Sequence, residues 1–224
     1  MHLTILPVIL LALGQDSNEA EKLFRAAEKK LAEADSLHIT ASGDIKYGKE
    51  VGKFEGVVLL AKGNKSRVDV TGELAGKPKK MLMGSDGAKL KVNDSKLLDT
   101  AKGANLMLCG SVSRAGGLGV VLAYERHFKG AIDDWLTVSE FSLRKNQKVG
   151  DRPAELISYK FSVKYLGIKK KFAAQVWLDS ESNLPLKRVI NGSLLKEIHV
   201  TENYDLRFNT SIDAKIFELP KKLK

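Results

Sequence analysis

The strongest constraint on the fold is the alternation of apolar and polar residues over residues 169–190. Four apolar residues of one parity lie in its first half: Phe172, Ala174, Val176 and Leu178. A period of two places these side chains on one face of a β-strand. Residues 179–183 are turn formers, and Pro185 then begins a second strand, where its missing N–H is tolerated. The segment predicts a β-hairpin and contains no catalytic pattern.

The same period recurs along most of the chain. Residues 65–74 and 155–165 alternate in the same way, and a third run over residues 194–208 continues the hairpin as a meander. Gly63-Asn64 and Asp86-Gly87 are dipeptides that favour tight hairpin turns. The pattern predicts about ten or eleven strands. Because the sequence contains no repeat and no long linker, we expect one domain.

The amino-terminal residues 1–14 are apolar, contain no acidic group and end in Ala12-Leu13-Gly14. Small residues at the −3 and −1 positions of a cut before Gln15 indicate a secretory signal peptide, although the run lacks Lys and Arg. A buried amino-terminal strand is the alternative. We therefore expect a signal peptide over residues 1–14, one mature domain over residues 15–224, and a periplasmic or secreted protein.

Two regions depart from the strand period. Residues 16–34 have helical spacing, with Asp16 as a cap and Glu19 three residues later in capping-box position. Residues 95–130 are apolar, contain several glycines and do not alternate, which predicts a helical insertion of short helices joined at flexible positions. The glycines at 116, 117 and 119 match neither GxxxxGK[ST] nor GxGxxG, so a phosphate-binding loop is not predicted.

The formal net charge is +10, and lysines dispersed at strand ends and turns supply most of it. Nucleic-acid-binding proteins cluster such charge with aromatic and arginine side chains, so nucleic acid is not an expected partner. The dispersed lysines favour solubility and protected sheet edges; attraction to an anionic membrane surface or an acidic protein partner is the other interpretation. Cys109 is the single cysteine, which excludes an internal disulfide and is typical of a small buried side chain.

Catalytic and metal-binding patterns are missing from the sequence. The four histidines have no zinc-ligand spacing, no serine lies in a G-x-S-x-G turn, and residues 179–183 lack the glycine and distal glutamate of a calcium loop. Residues 133–134 are adjacent carboxylates that favour a solvated turn. The sequence predicts neither an enzyme nor a cofactor or metal site.

Four features, taken in order, carry a family resemblance. A Ser-Asp-Gly hairpin at residues 85–90 is followed by the helical insertion, then by residues 176–188 and by residues 209–220. Together they resemble the LolA/LolB-like superfamily, which includes the periplasmic lipoprotein carrier LolA, over essentially all of residues 15–224. The resemblance implies a mainly β (α+β) fold: an unclosed, strongly curved antiparallel half-barrel with helices over its concave apolar face. It also implies non-covalent capture of acyl chains.

Two departures from that family are visible. Arg67 is only a loose counterpart of the family's arginine near the second or third strand, and it is the one polar ligand contact that the resemblance suggests. Aromatic residues make up only 7% of the chain, whereas the carrier's cavity is rich in them. The fold therefore transfers more safely than the role of lipoprotein carrier.

Apolar helices with glycine joints over a curved sheet form a cavity beneath a lid, where each buried CH₂ stabilises a bound acyl chain by roughly 0.8 kcal/mol. The expected cavity residues are Val57, Leu59, Met81, Met83, Leu106, Met107, Leu118 and Val121. The first functional hypothesis is a monomeric exported carrier or chaperone that binds lipid, acyl chains or lipoprotein. The alternative is a regulatory or structural envelope protein that binds a protein partner and has the concave face as plain core.

Overall fold

The computed structural model describes residues 8–93, 96–100, 102–125, 130–165 and 167–219. The helices and strands, in chain order, are α1 (Val8–Glu33), β1 (Ser36–Tyr47), β2 (Glu50–Ala61), β3 (Lys65–Leu74), β4 (Lys77–Asp86), β5 (Lys89–Val92), β6 (Leu98–Asp99), α2 (Ala104–Glu125), β7 (Leu136–Val149), β8 (Arg152–Tyr165), β9 (Ile168–Asp179), β10 (Pro185–Ser193) and β11 (Glu197–Phe208). Short 3₁₀ helices span Ile132–Asp134 and Ala214–Phe217.

All 11 strands form one sheet in the order β6-β5-β4-β3-β2-β1-β11-β10-β9-β8-β7. Neighbouring strands are antiparallel throughout, and the sheet ends at β6 on one side and β7 on the other. Hairpins connect most neighbours, including those at Gly63-Asn64 and at Gly87, where the backbone has the positive φ that such turns require. The predicted open, mainly β half-barrel is confirmed.

One face of the sheet, called here the inner face, carries the two helices and most of the core. Residues in register across antiparallel strands share a face, so Ile39, Val58, Val68 and Met83 form one continuous inner row across β1 to β4. All four side chains are buried. The opposite, outer face is partly covered near β3 and β4 by the 3₁₀ helix Ala214–Phe217, whose Phe217 is buried.

Helix α1 packs on the β7 side of the inner face. Its predicted apolar stripe is confirmed, since Ala20, Phe24, Ala27 and Leu31 are all buried. The predicted start at Asp16 is wrong, because the helix continues back to Val8. Residues 8–13 contain neither Pro nor Gly and include three leucines and an alanine, so no break makes Asp16 a cap.

The predicted cut before Gln15 lies inside this helix, and part of the predicted signal peptide, residues 1–7, lies outside the described residues. Signal-peptide cleavage stays a prediction. Among the described residues, no helix combines the length and hydropathy needed to cross a membrane.

Helix α2 lies within the predicted insertion at residues 95–130 and is broken in the middle. Ala115 and Gly116 have non-helical backbone angles, which divide the helix into a first half over residues 104–114 and a second half over residues 117–125. A broken apolar helix, with glycine at the break, agrees with the predicted short helices and joints.

Candidate functional site

A cleft of about 370 Å³ lies between the inner face of β1 to β4 and the second half of α2. Its sheet side is formed by Ile39, Ala41, Ile45, Phe54, Val58, Val70, Leu74 and Met81, with Ile198, Val200 and Tyr204 from β11. Its helix side is formed by Val112, Leu118, Val120 and Val121. The walls are therefore apolar and mostly aliphatic, as is usual for pockets that bind apolar ligands.

Small residues on the sheet leave room for this cleft. Gly43, Phe54 and Gly72 are in register across β1, β2 and β3, so a single phenyl ring lies between two positions that have no side chain. In the next row the arrangement is reversed, and Gly56 lies between Ala41 and Val70. Glycine next to larger residues in each row lowers the floor, and Phe54 is the only aromatic side chain on the part of the floor formed by β1 to β4.

The break in α2 is held by side chains from the sheet. Arg188 on β10 donates two hydrogen bonds of 2.6 Å, to the carbonyl oxygens of Val112 and Ser113. Tyr159 on β8 donates to the next carbonyl, that of Arg114, at 2.7 Å. The last carbonyl groups of a helix have no partner within the helix, and a cation is favourable beside them. The sheet thus caps the carboxyl end of the first half.

Glu202 on β11 caps the start of the second half in the complementary way. Its Oε1 accepts a hydrogen bond of 2.8 Å from the backbone N–H of Gly117, and its Oε2 accepts one from the Tyr204 hydroxyl. A carboxylate is favourable at a helix amino terminus. Glu202 and Arg188 are also direct partners in the register of β10 and β11, so the two caps stand side by side.

Gly116 is required at this break for two reasons. Its φ of 55° and ψ of −142° lie in a region that side chains other than glycine avoid. A Cβ atom there would also lie 1.9 Å from Oε2 of Glu202. The chain can approach the carboxylate only without a side chain.

Burial sets the electrostatics of this cluster. It raises the pKa of the Glu202 carboxyl, against the opposing attraction of the Arg188 guanidinium. Burial likewise raises the pKa of the Tyr204 hydroxyl well above its ordinary value. Glu202 and Tyr204 also line the inner end of the cleft, so they are the polar groups that a ligand would meet beneath the second half of α2.

The first half of α2 is anchored independently. Arg114 donates to Glu28 of α1 at 2.7 Å, to Asp133 at 2.5 Å and to the carbonyl oxygen of Leu136 at 2.7 Å. Asn105 donates to two carbonyl oxygens of the β2–β3 hairpin region. The first half is therefore tied to α1 and the sheet. Among the described residues, the second half makes its polar contact with the sheet through the hydrogen bond from Gly117 to Glu202.

The structure brings three of the predicted cavity residues to the cleft: Met81, Leu118 and Val121. Met83 and Met107 are buried in the core instead. Leu106 is 59% exposed and borders a smaller recess between α1 and the β2–β3 turn. Whether the cleft binds a ligand through these residues stays a prediction.

The structure corrects the predicted positions of three site residues: Val57, Leu59 and Arg67. Val57 and Leu59 are in register with Asp69 and Arg67, and Val58 between them is in register with the inner residue Val68. All three predicted residues therefore lie on the outer face and do not line the cleft. The run from Val57 to Ala61 is apolar at both parities, so sequence periodicity could not distinguish its faces.

Sequence reasoning missed the residues that hold the helix break. Arg188 lies on the same strand face as Ile190, and Glu202 lies on the same strand face as Val200 and Tyr204. Ile190 and Val200 are buried, so both faces point inward. The signal was available, because a charged side chain at an inward-facing strand position must find a buried partner. A pair of such positions, one basic and one acidic, on consecutive strands predicts a buried cluster.

Cys109 is buried, as expected, and burial raises the pKa of its thiol to about 12. Over the described part of the chain, no group of three His, Cys, Asp or Glu side chains is arranged to hold a metal ion.

Known proteins resemble this chain in fold rather than in sequence. No protein-family model matches the chain, and no curated protein matches it. Among solved structures, LprF from Mycobacterium bovis superposes with a TM-score of 0.52 at 8% identity, over 92% of this chain and 99% of LprF. At this identity the likeness is one of fold. The expected resemblance is thereby confirmed as a resemblance of architecture.

Two further solved structures are similar at lower scores. The LolA superfamily protein NE2245 from Nitrosomonas europaea has a TM-score of 0.46 at 14% identity, over 89% of this chain and 97% of NE2245. The MucA/MucB complex from Pseudomonas aeruginosa gives 0.42 at 12% identity, over 92% of this chain and 62% of the matched chain.

Proposed function

We propose that this protein is an exported, non-enzymatic carrier or chaperone that captures an acyl chain, as free lipid or as part of a lipoprotein, in the cleft beneath the second half of α2. The observation that carries the proposal is the cleft itself. Both of its walls are mostly aliphatic, and solvent reaches it, since Val121 at its border is 43% exposed.

The size and lining of the cleft fit this ligand class. Its volume of about 370 Å³ lies within the range of small-molecule sites. Each methylene moved from water into such a lining contributes roughly 0.8 kcal/mol, so an acyl chain binds without any charged or catalytic group. The second half of α2 forms the lid, and the clamp at Arg188 and Glu202 fixes the point about which it joins the sheet.

The alternative role is capture of a protein partner, with the inner face as plain core. Organic extraction of natively purified protein, followed by mass spectrometry, separates the two roles. The carrier role predicts a stoichiometric acyl species, or uptake of added fatty acid by protein purified without one. Protein that contains no lipid and also ignores added fatty acid and lipopeptide would contradict it.

Two exposed residues of α2 supply a matched test of the site. Val121 borders the cleft, whereas Leu106 lies at the other end of the same helix and outside it. We expect Val121→Asp to weaken binding of a fluorescent fatty acid about tenfold, because it places a charge against the acyl chain. Leu106→Asp should leave binding unchanged. Equal effects of the two substitutions would reject the cleft as the binding site.

A further inference from the structure

Lys79 lines the cleft at its mouth, and Lys77 lies nearby on the same inner face. Lys79 is in register with Gly72, and through Gly72 with Phe54, so it belongs to a row that forms the cleft floor. Lys77 is in register with Leu74 in the next row outward. Both lysines are exposed, and neither takes part in an ion pair among the described residues.

These rows hold no carboxylate on β1 to β4. The row of Lys79 contains Gly43, Phe54 and Gly72, and the row of Lys77 contains Ile45, Gly52 and Leu74. On β11 the first row continues to Glu202, which is engaged by Gly117 and Tyr204 and lies beside Arg188. The cleft is also lined by Lys53, Lys80 and Glu73, so with Lys79 three lysines stand against one carboxylate at its mouth.

On the outer face of the same strands, the lysines have different cross-strand neighbours. Lys53 has Asp44 and Glu73 as its two cross-strand neighbours. Lys80 faces Thr71, and beyond it Glu55. Lys53 thus has carboxylates directly opposite it on both neighbouring strands, whereas Lys77 and Lys79 have none. Edge protection explains lysine on β4, but it does not require inner rows that hold no carboxylate on β1 to β4.

We propose that the cleft takes an anionic amphiphile, whose acyl chain lies on the apolar floor and whose carboxylate or phosphate head is held by Lys79 and Lys77. The inference rests on the proposed function and adds the charge class of the ligand. Lysine suits this place because its aliphatic stem lies along apolar surface while its ammonium group stays in water. The attraction acts across solvent, so it weakens with added salt.

The test compares ligands that differ only in the head. Calorimetric titration at about pH 8, where carboxylic acids are ionised, measures dodecanoate against dodecanol, and lysophosphatidic acid against monoacylglycerol. We expect each anionic member to bind about tenfold more tightly than its neutral partner, because each exposed ion pair contributes a factor of roughly two to five. The second pair of ligands shows whether a phosphate head is accepted as well as a carboxylate.

The variant Lys77→Gln/Lys79→Gln should remove the preference for the anion and leave the affinity for dodecanol unchanged. The control Lys169→Gln/Lys171→Gln makes the same change of net charge at exposed positions of β9, far along the sheet order, and should keep the preference. Equal binding of dodecanoate and dodecanol by the unaltered protein, or a preference that survives in the inner-face variant, would overturn the inference. Binding of neither ligand would instead reject the carrier role itself.

Discussion

The two halves of the inner face are built from the same antiparallel sheet but hold different contents. Under α1, the half formed by β7 to β9 is filled with aromatic rings: Phe24 packs on Tyr159 with centroids 4.8 Å apart, and Phe161 stacks on Phe172 at 4.8 Å. Under the second half of α2, the half formed by β1 to β4 carries aliphatic residues and glycines and encloses the cleft.

The difference shows that side-chain volume decides whether space remains between a curved sheet and the helix packed on it. Protein interiors are packed at crystal-like density, so aromatic side chains fill the space under α1. Beneath α2, Gly56 and Gly72 line the cleft without side chains. A sparse aromatic content, concentrated on one side, therefore supplies both a stable core and an open site on one sheet.

The packed half should carry the larger share of the stability. Phe161→Ala removes a fully buried ring and should lower the free energy of unfolding by about 3–5 kcal/mol. Chemical denaturation measures the loss, and a fatty-acid titration of the folded variant should show unchanged affinity. A loss below about 1 kcal/mol would mean that this half is not the stabilising one.

The clamp between the halves should be nearly as sensitive. Arg188→Met leaves Glu202 buried without its charge partner and leaves the carbonyl groups of Val112 and Ser113 uncapped. Breaking a buried pair in this way costs about 3–5 kcal/mol. The double variant Arg188→Met/Glu202→Gln removes the orphaned charge, so it should be more stable than Arg188→Met alone. Simple addition of the two single effects would argue against the pairing.

The break in α2 gives a smaller effect. Gly116→Ala introduces strain of about 1–3 kcal/mol at a positive φ and forces the Glu202 carboxylate to move. Thermal unfolding measures the change. Gly103→Ala is a useful control, because its φ is also positive but nothing lies within 4 Å of the added Cβ. Equal losses in the two variants would show that contact with Glu202 has no part in the effect.

The pKa of Glu202 predicts a pH dependence of stability. Because burial raises this pKa in the folded state, its contribution to the free energy of unfolding is full below the unfolded pKa of about 4.3 and is lost as pH rises through the folded pKa. Glu202→Gln keeps an acceptor for the Gly117 N–H but cannot titrate. Denaturation over a pH series should therefore show unaltered protein losing stability relative to the variant as pH rises. The opposite slope would mean that attraction to Arg188 outweighs burial.

The smallest effect on stability should accompany a large effect on binding. Ala41→Phe makes the open half resemble the packed one by placing a ring on the cleft floor. We expect stability to change by no more than about 1 kcal/mol. Fatty-acid affinity should fall at least tenfold, since loss of two methylene contacts already amounts to about that factor. Unchanged affinity, measured by titration, would mean that the ligand does not lie on this floor.

The open half-barrel was implied by the family resemblance, whereas sequence periodicity predicted the strands, the hairpin turns and, where alternation is lost, the helical insertion. It succeeded where apolar residues alternate cleanly, as in residues 155–165. It misassigned the face of Val57 and Leu59, because that segment is apolar at both parities, and it began α1 at Asp16, because a capping pattern occurs inside a continuous helix. The clamp was missed because partners 14 residues apart, Arg188 and Glu202, meet only through strand register.

The central claim is that one half of the inner face admits an acyl chain and the other does not. Amide NMR with a spin-labelled fatty acid tests it directly, because the label broadens the signals of nearby residues. The account predicts broadening on the inner rows of β1 to β4 and on the second half of α2, with signals around Phe141 and Phe161 unchanged. Broadening centred on the aromatic half, or none at saturating ligand, would contradict it.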